Sequence, residues 1–207
     1  MAQPPTHHVY LASRSSRRRE LLKQIGVSFE VLLLREGPGR SADVDESPLP
    51  GEAPRDYVMR IARLKAQAGW QRLFLRRLIR FPVLSADTVV AVDEQILGKP
   101  SGREQAVSFL QTLSGRTHLV HSAVAVCFDS RLELAVSTTE VRFRELREAE
   151  IRQYVGSGEP MDKAGGYAIQ GRAAAFIASI SGSYSGVMGL PLFETSELLA
   201  KFGYSEP

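Results

Sequence analysis

Residues 9–25 read Val-Tyr-Leu-Ala-Ser-Arg-Ser-Ser-Arg-Arg-Arg-Glu-Leu-Leu-Lys-Gln-Ile. The apolar run at 9–12 predicts a short strand, and the amphipathic run at 17–25 predicts a helix. A strand that turns directly into a helix is the opening unit of an α/β chain. Ser15 or Ser16 is placed to cap that helix. Arg17, Arg18 and Arg19 then fall in its first turn, where the macrodipole opposes each added cation by roughly a few tenths to 1 kcal/mol. The arrangement becomes favourable when an anion sits there, because free amides, Ser hydroxyls and guanidinium forks converge on phosphate-type oxygens. Taken alone, the triplet reads equally well as a solvated basic turn.

Outward from this unit the pattern repeats. Apolar, β-branched runs predict strands at 29–34, 83–92, 119–128, 132–143, 174–179 and 184–188, and amphipathic runs predict helices at 54–70, 102–113, 148–155 and 192–201. Ser101 and Glu104 read as a capping box for the helix at 102–113, and Ser114-Gly115 as its stop. Residues 35–53 combine Pro and Gly with Glu36, Asp43, Asp45, Glu46 and Glu52, a loop composition that predicts an insertion. Residues 1–8 read as a flexible tail, leaving 9–207 as one domain.

The balance of 26 Lys and Arg against 23 Asp and Glu leaves a net charge of +3, too small for a protein built to coat nucleic acid, so it argues for local anion sites. Cys127 is the sole cysteine, which excludes an intrachain disulfide and predicts a reducing compartment and a buried thiol. No apolar run approaches the roughly 18 residues of a spanning helix, and the first residues lack a signal-peptide core, so the expected location is the cytoplasm. Between 70 and 81, Arg72, Arg76, Arg77 and Arg80 alternate with Trp70, Leu73, Phe74 and Leu78. Such a segment can touch nucleic acid or a membrane surface, but it reads more simply as a helix whose Arg heads face water.

Asp87 interrupts the apolar run at 83–92, and a carboxylate there has to be paired, hydrogen-bonded or bound to a cation. It is a candidate metal ligand or general base; the alternative is a strand-end cap. Gly98-Lys99-Pro100 projects a lysine from a tight corner, and the loop at 159–171 surrounds Lys163 and Gln170 with small residues. Three cationic loops, one acidic strand and one amide are the inventory needed to hold a nucleoside triphosphate with Mg²⁺. The P-loop, dinucleotide-binding, zinc-site and Gly-x-Ser-x-Gly patterns do not occur. His118 and His121, three apart on a predicted strand, face opposite ways and make no metal pair.

These stretches resemble the Maf family of nucleoside triphosphate pyrophosphatases. The matching pieces are Leu11-Ala-Ser-Arg-Ser-Ser-Arg-Arg18 with Glu20-Leu-Leu, Arg60-Ile-Ala-Arg-Leu-Lys65-Ala66, Ser85-Ala-Asp-Thr88, Gly98-Lys-Pro100 and Leu113-Ser-Gly-Arg-Thr-His118. The loop at 162–171 and Gly189-Leu-Pro-Leu192 complete the match. The resemblance implies an elongated mixed β-sheet flanked by helices, with two lobes around a central cleft, as in Maf and inosine triphosphate pyrophosphatase-like folds. It also implies a homodimer that cleaves a nucleoside triphosphate between the α and β phosphates with Mg²⁺ or Mn²⁺. Asp87 matches the catalytic carboxylate. Arg17, Thr88 and Gln170 match the selectivity positions of the dTTP/UTP branch rather than the 7-methyl-GTP branch. The chain departs from the family pattern at 35–42, and Asp45-Glu46 matches its acidic pair, which makes Glu46 a metal ligand alongside Asp87.

On this reading Arg17, Arg18, Lys65, Lys99 and Lys163 share the phosphate charge, while Ser13, Ser15 and the helix amides hold oxygens. Gln170 meets the O4/N3 edge of thymine or uracil with one donor and one acceptor. The competing reading, a nucleic-acid-binding or septum-regulating protein, rests on the Arg-rich segment 72–80; the small net charge favours the enzyme.

Overall fold

The structure, a computed structural model, describes residues 8–35 and 42–204. Most of the predicted tail and of the predicted insertion at 35–42 lies outside the described residues. Among the described residues seven strands form one mixed sheet: β1 (His8–Leu11), β2 (Ser28–Val31), β3 (Val83–Val92), β4 (Gln95–Leu97), β5 (Thr117–Phe128), β6 (Arg131–Phe143) and β7 (Ile177–Ser181). The order is β2-β1-β3-β5-β6-β7, with β4 also on β3. β1 runs parallel to β2 and β3, and every other pairing is antiparallel. The helices are α1 (Ser16–Gln24), α2 (Pro54–Leu75), α3 (Arg103–Leu113), α4 (Glu148–Gly156), α5 (Tyr184–Met188) and α6 (Leu192–Lys201).

One edge of β3 is paired with β5 from Val83 to Ala91. The other edge is shared: β1 takes only Val83 and Leu84, and β4 takes Val90 to Val92. Among the described residues no strand pairs with that edge between Leu84 and Val90, so the sheet is split there, and a cleft opens at the gap. Side chains still alternate across β3. Val83 and Val89 pack with α2, and the Ser85 hydroxyl donates to the Ala62 carbonyl of α2 at 2.6 Å. Leu84 and Ala86 face the opposite way, into the core made with α1 and α6. A third core gathers α3, α4 and Tyr167 beyond the gap. Gly69 lets α2 lie close on the sheet, since a Cβ there would come within 2.7 Å of Val83.

Several sequence expectations are corrected. Residues 184–188 form helix α5 rather than a strand, because Ser183 accepts the Gly186 N–H as N-cap and Gly189 ends the turn at φ 119°. The strand expected at 174–179 begins at Ile177, after a 3-10 turn over Arg172–Phe176. The capping box at Ser101 does not form: Gly102 is the N-cap, and the Ser101 N–H donates to Gln105 Oε1 at 2.7 Å. β4 has no obvious sequence signal, because its hairpin turn places Asp93 and Glu94, rather than Asn-Gly, at positive φ. Helix α2 continues to Leu75 and stops there, so the segment 70–81 is helical only in part. Its arginines do not all face water: Arg72 is enclosed in an ion pair with Asp43.

Candidate active site

The cleft encloses about 980 Å³ and is lined from both sides of the gap in the sheet. The turn after β1 and the start of α1 supply Ser13, Ser15, Arg17 and Arg18; β3 supplies Asp87 and Thr88; the corner after β4 supplies Lys99. Lys65 comes from α2, Glu46 from the loop before it, and Lys163 from the segment after α4. Ten of the eleven residues singled out from sequence therefore meet in one place. Gln170 is the exception: it is exposed and stands outside the cleft wall.

Asp87 and Thr88 leave β3 on opposite faces, and the unpaired edge lets both reach the cleft. Asp87 is only 8% exposed. Its Oδ1 accepts from Lys65 Nζ at 2.8 Å, and the same ammonium donates to Glu46 Oε2 at 2.9 Å. The cost of burying the carboxylate is thus met by an enclosed cation, which Lys65 can supply because it follows Ile61 and Ala62 by one helical turn on the sheet-facing side of α2. Lys65 was expected among the phosphate-binding cations, and here it bridges the two acids.

Thr88 Oγ1 shares a 2.8 Å hydrogen bond with Ser122 Oγ and accepts from Arg18 Nη2 at 3.4 Å. Arg18 also donates from Nε to the Gly189 carbonyl at 2.8 Å and from Nη1 to Ser13 Oγ at 3.3 Å. Burial lowers the Arg18 pKa, and the charges of Asp87 and Glu46 oppose that shift. Ser15 is the N-cap of α1, accepting the Arg18 N–H at 3.4 Å, while its own N–H donates to Ser13 Oγ at 3.2 Å. Arg17 lines the cleft beside them.

Lys99 is exposed and forms no hydrogen bond or ion pair among the described residues. Lys163 Nζ donates to the Glu159 carbonyl at 2.6 Å and pairs with Asp162. The loop holding it closes on β3 at Gly165, whose N–H donates to the Gly98 carbonyl at 3.1 Å. Sequence reasoning missed Tyr57, which lines the cleft and donates its hydroxyl to the Glu46 carbonyl at 2.9 Å. A tyrosine on an amphipathic helix carries no signal of such a role. Ser122 was missed as well; it follows His121 in β5, so it does not stand out among apolar neighbours as Asp87 does.

Two carboxylate oxygens from separate elements converge on one ammonium, so the site already favours a cation, and oxygen donors are what Mg²⁺ and Mn²⁺ take. Among the described residues no group of three or more His, Cys, Asp or Glu side chains could hold a metal ion. Asp87 and Glu46 therefore fit the kind of site that one or two carboxylates begin and phosphates and water complete. His118 and His121 contribute nothing to it: the first pairs with the Tyr167 hydroxyl and the second with Thr138 Oγ1.

Fold and site together define an α/β protein with one cation-rich cleft built around a buried acid. The family model described as Maf-like protein matches residues 8–202, and the chain belongs to that family. A protein of Nitrosomonas europaea named dTTP/UTP pyrophosphatase is 57% identical over 99% of this chain and 99% of its own length. One of Aromatoleum aromaticum with the same name is 57% identical over 98% of each chain. The solved structure of the Staphylococcus aureus Ham1 protein aligns with a TM-score of 0.44 at 16% identity, covering 66% of this chain and 71% of that one. No helix among the described residues is long and apolar enough to cross a membrane.

Proposed function

We propose that this protein hydrolyses dTTP and UTP to the nucleoside monophosphate and pyrophosphate, with residues 9–207 acting as one unit. The observation that carries the reading is the buried Asp87 at the open edge of β3, sharing Lys65 with Glu46 and facing Arg17, Lys99 and Lys163 across one cleft. The names of the close relatives support the substrate class.

In the mechanism, Lys65 holds Asp87 Oδ1 and leaves Oδ2 to orient a water and accept its proton as oxygen attacks the α phosphorus. The bond from the α phosphorus to the bridging oxygen breaks, and pyrophosphate leaves toward Lys99 and Lys163. Arg17 and the first amides of α1 hold the remaining phosphate oxygens. A divalent cation held by Asp87 and Glu46 supplies charge neutralisation when bound. Arg18 spends three of its five N–H groups on protein acceptors, so it acts first as a brace and has two left for phosphate. Gln170 reads the base only if the 159–171 segment moves over the nucleotide, because it stands outside the cleft wall.

The resemblance further supports a homodimer, and the free, buried Cys127 is in keeping with the reducing, cytoplasmic setting expected from composition. The nucleic-acid reading loses support, since Arg72 is committed to Asp43 and Arg80 stacks on Phe74. Pyrophosphate release from dTTP, UTP, CTP and 7-methyl-GTP with Mn²⁺ tests the proposal; dTTP and UTP are the expected substrates, and turnover of none of them sinks it. Asp87→Asn is expected to lose about 10²- to 10⁴-fold in kcat with the melting temperature retained. A rate near that of the unaltered protein removes Asp87 from the chemistry.

A further inference from the structure

Residues 42–53, which carry Glu46 into the cleft, contain no helix or strand. What fastens them is a row of side chains on α2. Tyr57 donates to the Glu46 carbonyl at 2.9 Å, and Arg60 donates to the Ser47 carbonyl at 3.0 Å and to both Glu52 oxygens at 2.6 and 2.7 Å. At the far end, Arg72 donates from Nε and Nη2 to the two Asp43 oxygens at 2.6 and 2.8 Å, and Arg35 adds two more bonds to that carboxylate, from its N–H at 2.7 Å and from Nε at 3.2 Å. The Asp43–Arg72 pair is the most enclosed of these ties, with side chains 10% and 14% exposed. Neither residue lines the cleft.

The spacing gives this pair its meaning. Lys65 and Arg72 are seven residues apart, which puts them on one stripe of α2 about 10 Å apart along the axis. Asp43 and Glu46 are three residues apart, and three residues of chain reach at most about 10 Å. One stripe of cations therefore grips both ends of one acidic segment: Arg72 takes Asp43, and Lys65 takes Glu46. The Glu46 side chain itself is half exposed and held by Lys65 alone, so its position depends on how its backbone is anchored.

We propose that the Asp43–Arg72 ion pair is a positioning device for Glu46, fixing it beside Asp87 so that the two carboxylates can share one cation. The proposal rests on the nucleotide-hydrolase reading and gives the Arg-rich end of α2 a place in it. Asp43 and Arg72 touch neither nucleotide nor cation; they set where the second carboxylate stands. Without the pair Asp43 keeps only its bonds to Arg35, and the loop's Glu46 end is tied to α2 by Lys65, Tyr57 and Arg60 alone, so cation affinity falls while the reacting groups stay intact. Partners of this indirect kind typically cost about 10- to 100-fold in metal affinity when removed.

The test compares the full-length protein with Asp43→Asn, with Arg72→Gln and with Arg72→Lys. Two quantities are measured: the Mn²⁺ concentration giving half-maximal dTTP hydrolysis, and Mn²⁺ bound in the presence of an α,β-methylene dTTP, read by electron paramagnetic resonance. Asp43→Asn and Arg72→Gln are each expected to weaken both by about 10- to 100-fold. The dTTP KM at saturating Mn²⁺ should stay within about twofold, and Arg72→Lys should lose less affinity than Arg72→Gln. Arg72→Lys keeps the charge and loses the fork, so it tests the same point at an intermediate loss if the other variants fold poorly. Mn²⁺ curves of Asp43→Asn and Arg72→Gln that superimpose on those of the unaltered protein overturn the proposal. Should Asp87→Asn hydrolyse dTTP at the full rate, it is the functional reading that fails; an Asp87-dependent enzyme indifferent to Arg72 refutes the positioning role alone.

Discussion

Arg18 and Gly189 stand 171 residues apart in the chain and are joined by a 2.8 Å hydrogen bond from Nε to the carbonyl oxygen. The same guanidinium reaches Ser13 Oγ at 3.3 Å and Thr88 Oγ1 at 3.4 Å, so one side chain ties the turn after β1, the middle of β3 and the end of α5. This is the floor of the cleft, and it is held by a planar fork rather than by a point charge. Arg18→Lys keeps the cation and cannot span the three acceptors. The expected outcome is a loss of about 1–2 kcal/mol of stability in urea denaturation and a fall of about tenfold or more in kcat/KM for dTTP. If both quantities stay unchanged, Arg18 does not brace the site.

Acid should weaken the fold in two separate windows. Burial holds the His118 pKa down to about 4, so the unfolded chain binds a proton there first, and stability falls as pH drops from about 6.5 toward 4. Asp43 is held at about 2, chiefly by the Arg72 hydrogen bond; its contribution is complete above the ordinary carboxylate pKa and is lost as pH falls through about 2. The second window is worth of the order of 2 kcal/mol. Denaturant midpoints followed from pH 7 to pH 2 should show the upper slope flatten in His118→Phe and the lower one in Asp43→Asn. A His118→Phe curve parallel to that of the unaltered protein would dispose of the first assignment.

Gly165 meets two demands at once: its φ is 67°, and a Cβ would lie 2.8 Å from the Val90 side chain. Gly165→Ala adds left-handed strain of about 1–2 kcal/mol to overpacking of about 1–3 kcal/mol. Because this glycine also pins the Lys163 loop to Gly98, the loss should appear both in the melting temperature and as a raised KM for nucleotide. A variant that melts with the unaltered protein would show that the loop shifts freely.

What could be read in the sequence followed from how local each signal is. The ten residues of β3 are bounded in the structure where the apolar run begins and ends, because an all-buried strand declares itself by composition. The five residues 184–188 misled because Val187 and Met188 suggest a strand, whereas the outcome was set by a Ser183 cap and by Gly189 outside the run. Asp87 stood out as one acid among apolar neighbours, and its burial bears this out. Its partners could not be read the same way. That Lys65 would bridge Asp87 and Glu46, or that Arg72 would close on Asp43 across 29 positions, depends on α2 lying along the loop, a tertiary fact that no local pattern encodes. The gap in the sheet is of the same kind, since it exists only because β1 ends at Leu84 of its partner and β4 begins at Val90.

Gln170 offers the sharpest test of base selection, because it is the one residue of the reading that does not line the cleft. It follows Ile169 in a turn closed by the Gly171 N–H on the Ala168 carbonyl at 3.0 Å. The Glu159 carboxylate steadies that turn by accepting the Arg172 N–H at 3.1 and 3.2 Å. An amide donates to O4 of uracil or thymine and accepts from N3–H; a carboxylate still accepts from N3–H but repels O4. Cytosine presents an N4–H donor and an N3 acceptor at that edge, so a carboxylate is half matched to either base and loses the donor that favours uracil or thymine. Gln170→Glu is therefore expected to lower the ratio of kcat/KM for dTTP to that for CTP by about tenfold or more. The melting temperature should stay put, since the side chain is exposed. Should steady-state kinetics give the same nucleotide preference in both proteins, Gln170 does not reach the base, and selection falls to Arg17 and Thr88, which already face the cleft.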